Sequence, residues 1–255
     1  MLVAVPCSGA DTVALFDASD GSDAGRIAVG AHPVHLAAAG GRVLVATMGE
    51  RSIDVVTHGG VERVQTGVLG PSHFAIAGDS AFVPCTGGDA VAVVDLVALE
   101  HRERVAVGAE PHDAEAVDGL VYVGSRADGT VTVLDAETVA VRATVDAAPG
   151  IDGQARVQGL AAAPEGGVYA VDQANARVVL LDADGVRAAA SVGANPYEPV
   201  VDGDRVLVTG RDDGTVTELS SDLSSATTHD VGGQPVDIHV AEDATWVFDR
   251  DRAAA

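Results

Sequence analysis

The chain has 255 residues, with 38 Asp and Glu against 15 basic residues and a formal net charge of −23. All 15 basic residues are Arg, and so acidic a field repels phosphate backbones and anionic lipid surfaces, which counts against nucleic-acid binding and membrane attachment. At 47% hydrophobic residues the chain can build a core, and at 3% aromatic residues it must build it from Val and Ala, which favours many small packed strands.

Leu2–Pro6, Thr12–Asp17 and Arg26–Val29 are the first predicted strands. No charged n-region or twin Arg precedes them, so no secretory signal is expected. No apolar run approaches the ~20 residues that span a bilayer. The expectation is a soluble, cytoplasmic monomer. Dense carboxylates without Lys are what a halophilic, salt-adapted proteome produces, because they hold water while salt screens their repulsion.

From Pro33 onward one pattern recurs. Prolines mark junctions at Pro33, Pro71, Pro111, Pro196 and Pro235, spaced 38, 40, 85 and 39, and the doubled interval places a junction without Pro near Arg156. After each junction come a short apolar strand, a Gly turn, and a strand such as RVLVATM, LVYVGSR or GVYAVDQ. A Gly/Asp turn leads to SIDVVTH, AVAVVDL or TVTVLDA, and a last strand such as RERVAVG runs into the next junction. These β-branched runs between turn residues give four strands per unit, and four strands in about 40 residues is one propeller blade. Five units lie between Pro33 and Pro235. The three N-terminal strands, with Val236–Val240 as the innermost one, make a sixth, leaving Thr245–Asp249 surplus. The predicted fold is one all-β domain over 1–255, a six-bladed β-propeller closed by both chain ends in one blade; the alternative is seven blades.

The segments AVAVVDLVALEHRERVAVGAEPHD and TVTVLDAETVAVRATV resemble the YVTN, or YncE-like, β-propeller repeat, and the resemblance runs through most of the chain. It implies a propeller and leaves function open, since that family holds surface antigens, binding scaffolds and enzymes. Streptogramin lyases and lactonase propellers are similar in architecture, but no motif here matches their catalytic residues, so catalytic residues stay unknown.

Residues just past each junction are expected to line the mouth of a central channel. Two positions on stand His35, His73, Asp113, Gln158, Glu198 and Asp237, with His32, His112, Glu115, Tyr197 and His239 close by. Junction windows contain five of the eight histidines, an enrichment that salt adaptation does not explain. Carboxylates ~6 Å apart repel by roughly 3 kcal/mol at an effective dielectric of ~20, so the ring needs Arg partners, a raised pKa or a cation. Arg51, Arg126, Arg211 and Arg250 stand in or beside the connections on that face. The predicted ligand-binding set is His35, His73, His112, Asp113, Gln158, Tyr197, Glu198 and Asp237. A metal set of His35, His73, Asp113, Glu198 and His239 would suit Zn, Mn or Fe.

Cys7 and Cys85 occupy matching repeat places, VPCSGAD and VPCTGGD, and read as small core residues. The DGT runs at 128–130 and 213–215 are turn chemistry. The function expected is a binding module with a His/carboxylate site for a divalent metal or small polar ligand. The alternatives are a metal-dependent lyase or lactonase at the same site, and a protein-interaction scaffold.

Overall fold

A computed structural model describes residues 2–241 and 244–250. Among them, 25 strands and one short 3-10 turn form seven antiparallel sheets. The first holds β1 (Leu2–Cys7), β2 (Thr12–Asp17) and β3 (Asp23–Ala28). The second holds β4 (Pro33–Ala39), β5 (Arg42–Thr47), β6 (Ser52–Thr57) and β7 (Gly60–Gln65). In the third are β8 (Ala75–Ala77), β9 (Ser80–Cys85), β10 (Ala90–Asp95) and β11 (Glu100–Ala106). The fourth comprises β12 (Pro111–Val117), β13 (Leu120–Ser125), β14 (Thr130–Asp135) and β15 (Val141–Asp146). The fifth has β16 (Val157–Ala162), β17 (Val168–Asp172), β18 (Arg177–Asp182) and β19 (Gly185–Ser191). The sixth follows with β20 (Pro196–Asp202), β21 (Arg205–Gly210), β22 (Thr215–Ser220) and β23 (Ala226–Asp230). The last is β24 (Pro235–Ala241) with β25 (Ala244–Asp249). The chain packs as two compact units, Met1–Ala114 and Glu115–Ala255, divided inside β12. Among the described residues no helix is long and apolar enough to cross a membrane.

Seven sheets correspond to the alternative count, and the six-sheet closure is corrected. The strand taken as surplus pairs with β24, from Pro235↔Asp249 to Ala241↔Ala244, so β25 fills the second place of its own sheet. β1 holds the same second place in its sheet, pairing with β2 from Leu2↔Asp17 to Cys7↔Thr12. Two second strands cannot share one blade.

The middle strands read as continuous apolar runs because both faces are covered. In β17, Val168 and Ala170 face the core shared with the fourth sheet, while Tyr169 and Val171 face the core shared with the sixth. β21 alternates in the same way, Val206 and Val208 to one core and Leu207 to the next. The period of two thus serves two cores at once, and the small girth of Val and Ala lets sheets approach. The fourth strands, such as β11 and β23, are exposed. β1 and β25 are exceptions among second strands, with Leu2 56%, Trp246 61% and Phe248 52% exposed.

Where an Asp closes the third strand, it caps the following turn. Asp95 Oδ1 accepts from Val97 N and Ala98 N at 2.8 Å each, and Asp135 Oδ1 accepts from Thr138 N at 2.7 Å. These Asx turns explain why VVD and VLD recur in the repeat.

Candidate functional site

Three repeated devices position the junction residues. First, the innermost strands carry one extra residue just past the junction. Their ladders slip between Pro33 and His35, Val157 and Leu160, Pro196 and Pro199, and Pro235 and Asp237. In the third sheet Pro71 bridges Cys85 and pairing resumes only at Ala75↔Phe82. A bulge frees side chains from the strict alternation of a strand and re-aims them.

Second, at most junctions a carboxylate accepts from a backbone N–H at or just ahead of the junction. Asp11 takes His32 N at 2.9 Å, Asp54 takes Gly30 N at 2.6 Å, and Asp89 takes Glu110 N at 3.0 Å. In the other unit Asp172 takes Arg156 N at 3.1 Å and Asp213 takes Ala194 N at 2.6 Å. Third, the residue leaving the second strand donates to the next junction proline's carbonyl: Ser8 to Pro33 O at 2.7 Å, Thr86 to Pro111 O at 2.8 Å, and Gln173 to Pro196 O at 3.0 Å. Part of the acidity is therefore structural, and the matched VPCSGAD and VPCTGGD segments supply hydroxyl latches as well as cysteines. Cys7 and Cys85 are free, and burial pushes the Cys85 thiol up to about 12, which keeps it an inert thiol.

In the first unit the junctions bring imidazoles together. The His35 and His73 rings lie 4.4 Å apart at 32°, and His73 meets His112 edge-on at 4.8 Å and 71°. Phe74 stands beside His35 at 6.0 Å. His73 and His112 are buried, and His73 Nδ1 lies 2.9 Å from the His112 carbonyl oxygen. His112, one residue past Pro111, is the member of the trio at the third junction. Asp113, two residues past it, is buried and accepts its neighbour Ala114 N at 2.8 Å. His32 is exposed at φ 56 in the junction turn.

The second unit brings different chemistry to the same repeat places. Gln158 is buried, and next to it Gly159 lies so close under Glu198 that an added Cβ would stand 2.7 Å from Glu198 Cγ and 2.8 Å from its Cα. The Arg211 guanidinium sits 5.3 Å over the Tyr197 ring, a cation–π pair. Burial raises the Asp237 carboxyl above its usual range and the Glu198 charge adds to this, while the Ile238 N–H and His239 oppose it. His239 itself is exposed on β24, opposite Trp246. Glu115 is half-buried on β12. Of the other arginines, Arg51 donates to Gly67 O at 3.3 Å and Arg126 follows β13, while Arg250 N donates to Gln234 O at 3.1 Å.

The predicted metal set divides between the units, His35, His73 and Asp113 in one, Glu198 and His239 in the other. Among the described residues no three His, Cys, Asp or Glu side chains are arranged to hold an ion. In the second unit one groove of about 600 Å³ lies against β24–β25, beside Trp246, Phe248 and Arg250, and one of about 290 Å³ lies beside Tyr169 and Arg187.

Ser72, the latch residues Ser8, Thr86 and Gln173, and the junction carboxylates escaped sequence reasoning. One signal was available, a polar residue recurring just after the second strand at Ser8, Thr86, Arg126, Gln173, Arg211 and Arg250.

No protein-family model matches the chain, and no curated protein does. Solved structures do. A streptogramin B lyase is similar at 12% identity and TM-score 0.81, over 96% of this chain and 86% of that one. A catalytically inactive virginiamycin B lyase from Staphylococcus aureus with quinupristin is similar at 10% identity and TM-score 0.78, over 97% and 95%. Hydrazine synthase from Kuenenia stuttgartiensis is similar at 17% identity and TM-score 0.71, over 88% and 81%. Such distant likenesses speak for fold alone, and with the repeated four-stranded sheets they make the fold a β-propeller.

Proposed function

We propose that the chain is a single-domain propeller of the YVTN, or YncE-like, kind that binds a small polar ligand at the His35, His73 and His112 cluster. The observation that carries this reading is the meeting of three imidazoles from successive junctions, His35 and His112 on strands that lead out of a proline and His73 two residues past Pro71. Imidazole faces and ring nitrogens offer stacking together with donor and acceptor groups, the usual make-up of a polar-ligand pocket. A divalent ion of the Zn²⁺, Mn²⁺ or Fe²⁺ class is the competing occupant.

A thermal-shift screen of small polar compounds, with Zn²⁺ and Mn²⁺ as separate arms, tests the reading. A ligand at 100 times its Kd stabilises by about 2.7 kcal/mol, a readily visible shift. The expected result is a compound whose shift disappears in His35→Ala and persists in His58→Ala, a change at an exposed turn. Shifts unaffected by His35→Ala, or none at all, would overturn it.

The likeness to the two lyases favours one second reading, a metal-dependent lyase or lactonase acting at the same site. In it the proton is moved by His73, whose Nδ1 is engaged by a backbone carbonyl, in preference to the exposed His239. Product formation from quinupristin or simple lactones, lost in His73→Ala, would establish that reading over simple binding.

A further inference from the structure

We propose that Ser72 is a positioning residue that holds His73 in its Nδ1–H tautomer, so that a ligand's O–H or N–H donor meets His73 Nε2 as the acceptor. The ligand half of this rests on the cluster being a binding site, and the tautomer half does not.

A carbonyl oxygen only accepts. The ring nitrogen 2.9 Å from the His112 oxygen therefore carries the hydrogen, and in the neutral ring Nε2 carries the lone pair. That oxygen is itself fixed. Ser72 Oγ lies 2.6 Å from it and 3.1 Å from Pro84 O. The hydroxyl has one hydrogen, and Pro84 O already receives Ser72 N at 3.0 Å, so the shorter contact takes the hydroxyl proton. The His112 carbonyl thus accepts two hydrogen bonds, one on each lone pair.

The carbonyl before it is pinned in the same way, Thr86 Oγ1 donating to Pro111 O at 2.8 Å. Two side chains of the third sheet's ends consequently hold two consecutive peptide groups of β12. Ser72 is fully buried, where its hydroxyl has no solvent to exchange with. The residues one past the other junction prolines are Val34, His112, Tyr197 and Val236, so a serine here is no requirement of the repeat.

Long-range proton–nitrogen correlation spectra of the ¹⁵N-histidine-labelled full chain test the tautomer directly. In the unsubstituted protein His73 is expected as Nδ1–H. The neutral hydrogen bond from Nδ1 to that carbonyl, about 1 kcal/mol, corresponds to roughly a fivefold preference, which Ser72→Ala should reduce by letting the carbonyl turn away and Ser72→Thr should restore. The exposed His58 and His101 signals, unchanged in Ser72→Ala, certify that the variant is folded. An Nε2–H assignment in the unsubstituted protein overturns the proposal whether or not the variants fold. So does a folded Ser72→Ala chain with an unchanged tautomer. A compound screen that returns no binder leaves these spectra intact, so the binding reading and the positioning of His73 fail separately.

Discussion

The two units place opposite chemistry on the same scaffold. Both carry the extra residue past the junction, both tie the backbone ahead of the junction to a carboxylate, and both latch a junction carbonyl from the preceding second strand. Yet Met1–Ala114 fills those places with contacting imidazoles and Asp113, and Glu115–Ala255 fills them with Gln158, Tyr197, Glu198 and Asp237, Arg211 lying over Tyr197. The repeat therefore determines where the backbone goes and leaves the junction side chains free to change, which is how one fold comes to serve many purposes.

The carboxylate device should matter most where it is deepest. Asp172 and Asp54 are both fully buried, but the Arg177 side chain that pairs with Asp172 is 12% exposed, whereas Arg63, paired with Asp54, is 46% exposed. Removing one partner of a buried pair costs about 3–5 kcal/mol. Asp172→Asn should approach that range in urea unfolding, and Asp54→Asn should cost less because solvent screens Arg63. Equal costs would mean that the backbone N–H bonds, common to both, carry the effect.

Gly159→Ala should cost about 1–3 kcal/mol, because its Cβ would meet the Glu198 backbone as well as its side chain.

Acid should act on the stability of the chain in two opposing ways. Hydrogen bonds from Ser19 hold Asp17 low, those from Ala98 and Val97 hold Asp95 low, the Arg142 guanidinium holds Asp135 low, and Ser220 and Ser224 bring Asp222 to about 2. Their folded values lie below the unfolded ~3.9, so the stability they contribute is complete above about pH 4 and is lost as the pH falls further. Asp237 is raised by burial, so its contribution is present below about pH 4 and is lost as the pH rises through its folded value. Denaturation midpoints from pH 6 to 3 should thus flatten on the acid side in Asp135→Asn, while Asp237→Asn should stabilise slightly at pH 7. A stability loss at pH 7 in Asp237→Asn would assign that carboxylate a partner it needs in the ionised form.

The strands were legible because their evidence is local: β2 is found at the predicted Thr12–Asp17, and β1, β24 and β25 within a residue at each end. The sheet count was less so. LVAVPC and ATWVFD both look like second strands, and which one pairs with β24 depends on residues more than 200 positions apart. The imidazole trio was legible through proline spacing. Ser72 was not, because a buried serine announces itself only through the carbonyl it meets, and that carbonyl belongs to residue 112.

Trp246 is the chain's single tryptophan, and it stands on the outer strand of a two-stranded sheet. Hairpins of two strands are marginal by themselves, so this indole is an optical reporter of one small corner. In a melt, intrinsic fluorescence should change before far-ultraviolet circular dichroism does, and the gap between the two curves would measure how early that corner frays.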